Sequence, residues 1–231
     1  LKSTINPITY TNSDTFKLKN VYHPIIKHND AIKNDIDLKN NIIITGPNAA
    51  GKTTILKSTI INLIFSQQFG YGYFTSGKLN PYKYIHCYIN IPDNCSRDSL
   101  FQSEVRRCKS FLDIIDNNPD SRHFCVFDEL YSGTNPYEAI SSAYSYLNHI
   151  SKNKNIKFIL TTHYIKLCKL FRKHKNIKNY NMKTKTINNN AKYYYKIIKG
   201  ISKIKGGIAI LKNLEYPDSV INNAIEIMNK L

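Results

Sequence analysis

At 231 residues, 42% hydrophobic and 12% aromatic, the chain is long enough for one α/β domain with a substantial core, and no apolar run approaches the ~18 residues of a membrane-crossing helix. Its five cysteines (Cys87, Cys95, Cys108, Cys125 and Cys168) form no C-x-x-C pair, which argues for reduced thiols over a disulfide framework or zinc site. The net charge of +17 is localised: residues 151–212 hold 17 of the 33 Lys and Arg and no Asp or Glu, so the remainder is neutral. Such a block suits nucleic acid or an acidic partner surface, while the general abundance of Lys, Asn, Ile and Tyr offers a compositional account. The N-terminal stretch has no signal-peptide pattern and begins without Met, so the chain reads as an intracellular domain, 1–231, taken from a longer protein.

Along the chain, Phe16–Lys19 and Val21–Ile26 are extended candidates among turns. Ile42–Thr45 is a short buried strand and Thr53–Gln68 a helix. Gly70–Tyr73 and Ser76-Gly77 mark a turn-rich passage, followed by a strand over Tyr84–Ile91. Leu100, Val105, Cys108, Phe111, Leu112 and Ile115 fall near helical spacing, which predicts a helix over Asp98–Asp116. Phe124–Phe127 and Lys157–Thr161 are further buried strands, with a helix over Pro136–Ile150 between them. Tyr193–Ile198 is a strand in the basic passage. Pro217-Asp218 opens a final helix with an apolar stripe of Val220, Ile221, Ala224, Ile225, Met228 and Leu231. Strands alternating with helices imply an α/β fold around a largely parallel sheet.

The chemistry concentrates at three strand ends. Gly46-Pro47-Asn48-Ala49-Ala50-Gly51-Lys52-Thr53 is a G-x-x-x-x-G-K-[ST] loop between a buried strand and a helix, and Thr54 follows it. Glycines there let backbone N–H groups close on phosphates, and the helix N-terminus adds partial positive charge. Lys52 can reach the β and γ phosphates, and Thr53 can hold Mg²⁺. The buried strand Phe124–Phe127 ends in Asp128-Glu129; two acids at that edge suit Mg²⁺ binding by Asp128 and activation of water by Glu129. Leu160-Thr161-Thr162 delivers His163 as a donor to a γ phosphate or its attacking water. A nucleoside triphosphate and Mg²⁺ are the expected cofactors, and by position alone Ala31–Asp35 is the candidate contact to the base.

The order of these motifs resembles the ATPase domain of the MutS DNA mismatch repair family, over nearly the whole chain. Tyr22-His23-Pro24, the Gly46–Thr54 loop, Ser99–Val105, Asp128–Asn135, Thr161–Tyr164, Asn179–Met182, Gly206-Gly207-Ile208 and Tyr216–Ile221 all follow the family's sequence. The resemblance implies a P-loop NTPase fold of the ABC-ATPase type, with a mostly parallel central sheet flanked by helices and a small antiparallel portion. It makes ATP the nucleotide, and adenine the base for Ala31–Asp35. It also implies a composite site in which two such domains, identical or not, pair face to face. Ser99 of one would then reach the γ phosphate held by the other, with Asn135 at the same junction; Ser99 is otherwise suited to a helix N-cap. DNA contact is expected mainly through domains outside this chain. Departures from the family pattern are Tyr131-Ser132-Gly133-Thr134-Asn135 after the acids and Ala49-Ala50 in the phosphate loop. The alternatives are a nucleotide-switched dimerisation module, or an ABC-type ATPase with no repair role.

Overall fold

In a computed structural model of the chain, the described residues are 4–89, 99–187, 190–202, 207–208, 211 and 214–230. The large sheet has the order β11-β10-β4-β9-β8-β7, built from β4 (Asn41–Thr45), β7 (Tyr84–Tyr88), β8 (His123–Asp128), β9 (Ile156–Thr162), β10 (Ile177–Ile187) and β11 (Asn190–Lys199). Every pairing from β10 across to β7 is parallel, and β10–β11 alone is antiparallel. β4 and β9 are buried at every position, which is why they read as unbroken apolar runs: both faces of a central parallel strand are covered. A second sheet, ordered β3-β2-β6-β1-β5, comprises β1 (Asn6–Tyr10), β2 (Phe16–Val21), β3 (Asn34–Asp37), β5 (Tyr71–Gly72) and β6 (Ser76–Leu79).

Strand alternation sorts the core into two halves. Ile42, Ile44, Val126 and Ile159 share a cluster with Leu56 and Leu63 of α1 (Lys52–Phe69) and with Phe16, Leu18 and Phe74 from the small-sheet region. Ile43, Phe127, Phe158 and Leu160 face the other way. They pack on α2 (Leu100–Asn117), α3 (Pro136–Ile150) and α4 (Ile165–Leu170) through Phe111, Ala143, Leu147 and Leu167. α5 (Asp218–Lys230) closes the chain; of its apolar stripe Ile221 is buried while Val220 is exposed, and Leu231 lies outside the described residues.

Several elements differ from expectation. The extended stretch expected to run to Ile26 stops at Val21, because Pro24 opens a turn in which Ile26 N–H donates to the His23 carbonyl at 3.0 Å. The glycine-rich passage after α1 forms the short strands β5 and β6, and Gly77 packs closely there: a Cβ would sit 2.4 Å from Ile8 Cδ1 and force that side chain to shift. The strand over Tyr84–Ile91 is described to Tyr88, with residues 90–98 outside the described set, so Cys95 is placed nowhere.

Candidate active site

β4 ends at Thr45 and the chain turns back on itself before α1. Gly51 adopts φ 92°, a left-handed conformation that suits glycine, and a Cβ there would press to 3.1 Å from Tyr195 Cδ1. Ala49 also sits at φ 62°, without glycine's freedom. Lys52 is 5% exposed and donates through Nζ to the carbonyls of Gly46 (3.0 Å) and Pro47 (3.3 Å). Its ammonium is thus folded over the loop rather than extended into solvent. Asn48, Ala49, Gly51, Lys52, Thr53 and Thr54 line an open cleft of about 580 Å³. Gly46 and Pro47 are buried and contribute carbonyls, while Ala50 packs into the core beside α1.

The acids of β8 enter the same cleft. Thr53 Oγ1 donates to Asp128 Oδ2 at 2.9 Å, and Asp128 Oδ1 accepts from Thr161 at the end of β9. Two hard oxygen donors, Thr53 and Asp128, therefore lie side by side at the head of α1. They fit a Mg²⁺ ion, which takes few protein oxygens and leaves the rest of its shell to water and phosphate. Glu129 follows at φ 54°, fixed by its N–H donating to the Thr161 carbonyl at 3.0 Å. Its Oε1 lies 3.6 Å from Lys52 Nζ and 3.7 Å from His163 Nδ1. His163, then burial in the opposite sense, then the Lys52 charge set its acidity; the net effect holds the carboxyl below its usual range. Lys52, Thr53, Asp128, Glu129 and His163 thus converge from three strand ends.

Ser99 and Asn135 stand apart from that cluster. Ser99 caps α2 with a full capping box: its Oγ accepts from Gln102 N–H (3.3 Å), and Gln102 Oε1 accepts from Ser99 N–H (2.9 Å). Asn135 caps α3, its Oδ1 accepting from Tyr137 and Glu138 N–H at 3.1 and 3.0 Å. Their neighbours Leu100 and Ser132 reach the cleft wall.

Two cleft residues escaped sequence reasoning. Glu104 is 2% exposed, and its carboxylate accepts from Ser132 N–H, Ser132 Oγ–H and Gly133 N–H, each at 3.0 Å. This ties α2 to the loop after Glu129. One mid-helix acid in a polar stretch gave no signal, although the E-V-x-x-C spacing puts it on the buried face. Tyr195 lies at φ 54° in β11, where two extra residues are accommodated between the Met182↔Ile197 and Thr184↔Tyr193 pairs. Its ring overhangs Gly51, and buried Asn34 fixes its backbone, Nδ2 donating to the Tyr195 carbonyl (2.9 Å) and Oδ1 accepting from Ile197 N–H (2.8 Å). The Ala31–Asp35 segment thus meets the cleft through Asn34 and Tyr195.

A family profile described as "MutS domain V" matches residues 42–231. The chain is 32% identical to a DNA mismatch repair protein MutS of Parabacteroides distasonis, over 98% of this chain and 27% of that protein. Similar proteins of the same name occur in Clostridium perfringens (31%, covering 93% of this chain and 24% of the relative) and Persephonella marina (29%, covering 92% and 25%). The chain spans about a quarter of the length of the curated relatives it matches.

Proposed function

This chain belongs to the MutS family, and from that premise we propose that it binds Mg²⁺-ATP in the cleft at the head of α1 and hydrolyses it. In this reading it is a P-loop ATPase domain of the ABC type, serving mismatch repair or related DNA maintenance. The observation that carries the reading is the meeting of Lys52, Thr53, Asp128 and Glu129 within hydrogen-bond and ion-pair distances at one cleft.

The phosphates lie along the 46–54 loop, where backbone N–H groups and the α1 N-terminus receive negative charge. Lys52 exchanges the Gly46 and Pro47 carbonyls for β and γ phosphate oxygens. Thr53 and Asp128 would hold Mg²⁺, which would supply positive charge to the phosphate oxygens during transfer. Glu129, ionised and in reach of open solvent, accepts the proton of the attacking water, and His163 orients that water or donates to a γ-phosphate oxygen. Tyr195, 45% exposed above Gly51, offers a ring face to the nucleobase. Ser99 and Asn135, outside this cleft, complete the equivalent site of a second MutS-like domain across a dimer.

The test pairs binding of a fluorescent ATP analogue with phosphate release. Glu129→Gln should retain Mg²⁺-dependent nucleotide binding while turnover falls at least about tenfold. Equal turnover in both proteins would remove Glu129 as the base, and negligible turnover in both would leave a nucleotide-switched dimerisation module.

A further inference from the structure

The β10–β11 hairpin does more than edge the sheet. β10 pairs with β4 only as far as Asn181↔Thr45, the last residue before the phosphate loop. Beyond it, β10 and β11 pair with each other alone out to Ile187↔Asn190, so the ribbon projects past the C-terminal edge of the sheet. One side of this projection meets the nucleotide cleft through Met182, against Gly46, and Tyr195, against Gly51.

The other side is basic. Lys185 stands directly across from Lys192, and Lys183 precedes Lys185 by two residues on the same strand face. Like charges opposed across an antiparallel pair are destabilising, and a lone two-stranded ribbon is marginal to begin with. No ion pair among the described residues relieves them. Asn179, on that same face of β10, donates from Nδ2 to the Cys168 carbonyl of α4 at 2.9 Å. The basic side of β10 therefore runs beside α4, whose Lys166 and Lys169 are exposed, while Lys175 just before β10 lies by Asn40, at the far end of the strand from the ribbon. No acid interrupts this stretch of sequence.

We propose that this surface, Lys183, Lys185 and Lys192 with the exposed lysines of α4, docks the phosphate backbone of duplex DNA without reading its sequence. Duplex DNA carries about one charge per 1.7 Å of axis, a density that matches a cluster of lysines without intervening acids better than the spaced acids of a protein surface. The ring on this ribbon face, Tyr194, favours a duplex over a single strand. Lys183 Nζ lies 5.0 Å and Lys192 Nζ 5.7 Å from its centroid, so both ammonium groups compete with a base for this ring. The placement also puts DNA contact on the same hairpin that lies over the phosphate loop.

The experiment is fluorescence anisotropy of the full 231-residue chain with a labelled random-sequence duplex, without nucleotide, over a salt series. The wild-type chain should bind, and the K183E/K185E/K192E variant should lose at least about tenfold in affinity, with a salt slope shallower by roughly 2–3. The neutral K183Q/K185Q/K192Q variant should show an intermediate loss and melt no lower than wild type, since it removes opposed charges; this separates lost binding from lost folding. Fluorescent-ATP binding should persist in both variants, so failure of this proposal is distinct from failure of the ATPase reading. Absence of duplex binding by the wild-type chain, undiminished binding by the reversed-charge variant, tighter binding to single strands, or equal binding to poly-glutamate would each overturn it. The last result would assign the surface to an acidic protein.

Discussion

Glu129 is held by opposing demands. Its φ of 54° is costly for a residue with a Cβ, and Tyr131, two positions on, repeats the cost at φ 59°. The backbone is kept there by Glu129 N–H on the Thr161 carbonyl and Tyr131 N–H on the Tyr88 hydroxyl at 3.3 Å. The effect is to aim the Glu129 carboxylate between Lys52 and His163, both of which favour its charged form. A base that must be ionised loses activity only as pH falls through its own pKa, so the low value keeps the acid limb of turnover below the ordinary carboxylate range. His163→Ala removes the largest lowering contribution, and the sign follows: the Glu129 pKa rises and the acid limb moves to higher pH. A rate–pH profile of the variant with an unmoved acid limb would show that His163 does not tune this base.

At the level of elements, α2 and the loop after β8 behave as one piece. Glu104 supplies three acceptor contacts to Ser132 and Gly133, and Gly133 lies so close that a Cβ would meet Leu100 Cγ and the Phe101 nitrogen at 2.7 Å. Glu104→Gln replaces one acceptor oxygen with a donor, so at least one part-buried N–H loses its charge-assisted partner, at about 1 kcal/mol. For a chain of this size each kcal/mol lowers the melting temperature by about 2–4 °C. Thermal melting should show that drop, with turnover reduced because the same loop leads back to Glu129; an unshifted melt would mean the clamp is dispensable. Parts of this architecture were legible beforehand. Ile42–Thr45, Phe124–Phe127 and Lys157–Thr161 announced themselves because buried parallel strands are apolar on both faces. The strand ends then placed Lys52, Asp128 and His163. β10 did not announce itself: Ile177–Ile187 is half exposed and dense in Asn and Lys, and its strand character comes from pairing with β4 and β11. The same holds for α4, six residues long and too short for a period to show. Tyr195 was invisible as a cleft residue because its left-handed turn breaks the alternation that would have assigned its face.

For the molecule as a whole, the proposed hydrolytic cycle depends on what Ser99 faces. In the single chain its Oγ accepts from Gln102 N–H, which satisfies one of the unpaired donors at the start of α2 and leaves the hydroxyl hydrogen as a donor. A helix N-terminus capped in this way presents partial positive charge outward, the polarity that suits a phosphate brought up by a second copy. Capping and phosphate contact are therefore compatible, and mutation to Ala would confound them. Asp and Asn cap a helix about as well as Ser, but only Asp adds negative charge where the partner's γ phosphate would lie. Ser99→Asp should accordingly keep the wild-type melting temperature and the nucleotide affinity of the isolated chain. It should also abolish dimerisation with a non-hydrolysable ATP analogue in sedimentation velocity, and turnover should fall by about 10²-fold. Ser99→Asn, neutral and with a carboxamide in place of the hydroxyl, should dimerise and hydrolyse at a rate between the two. If the Asp variant turns over like wild type, Ser99 serves its own helix alone, and the reaction chamber is complete within one chain.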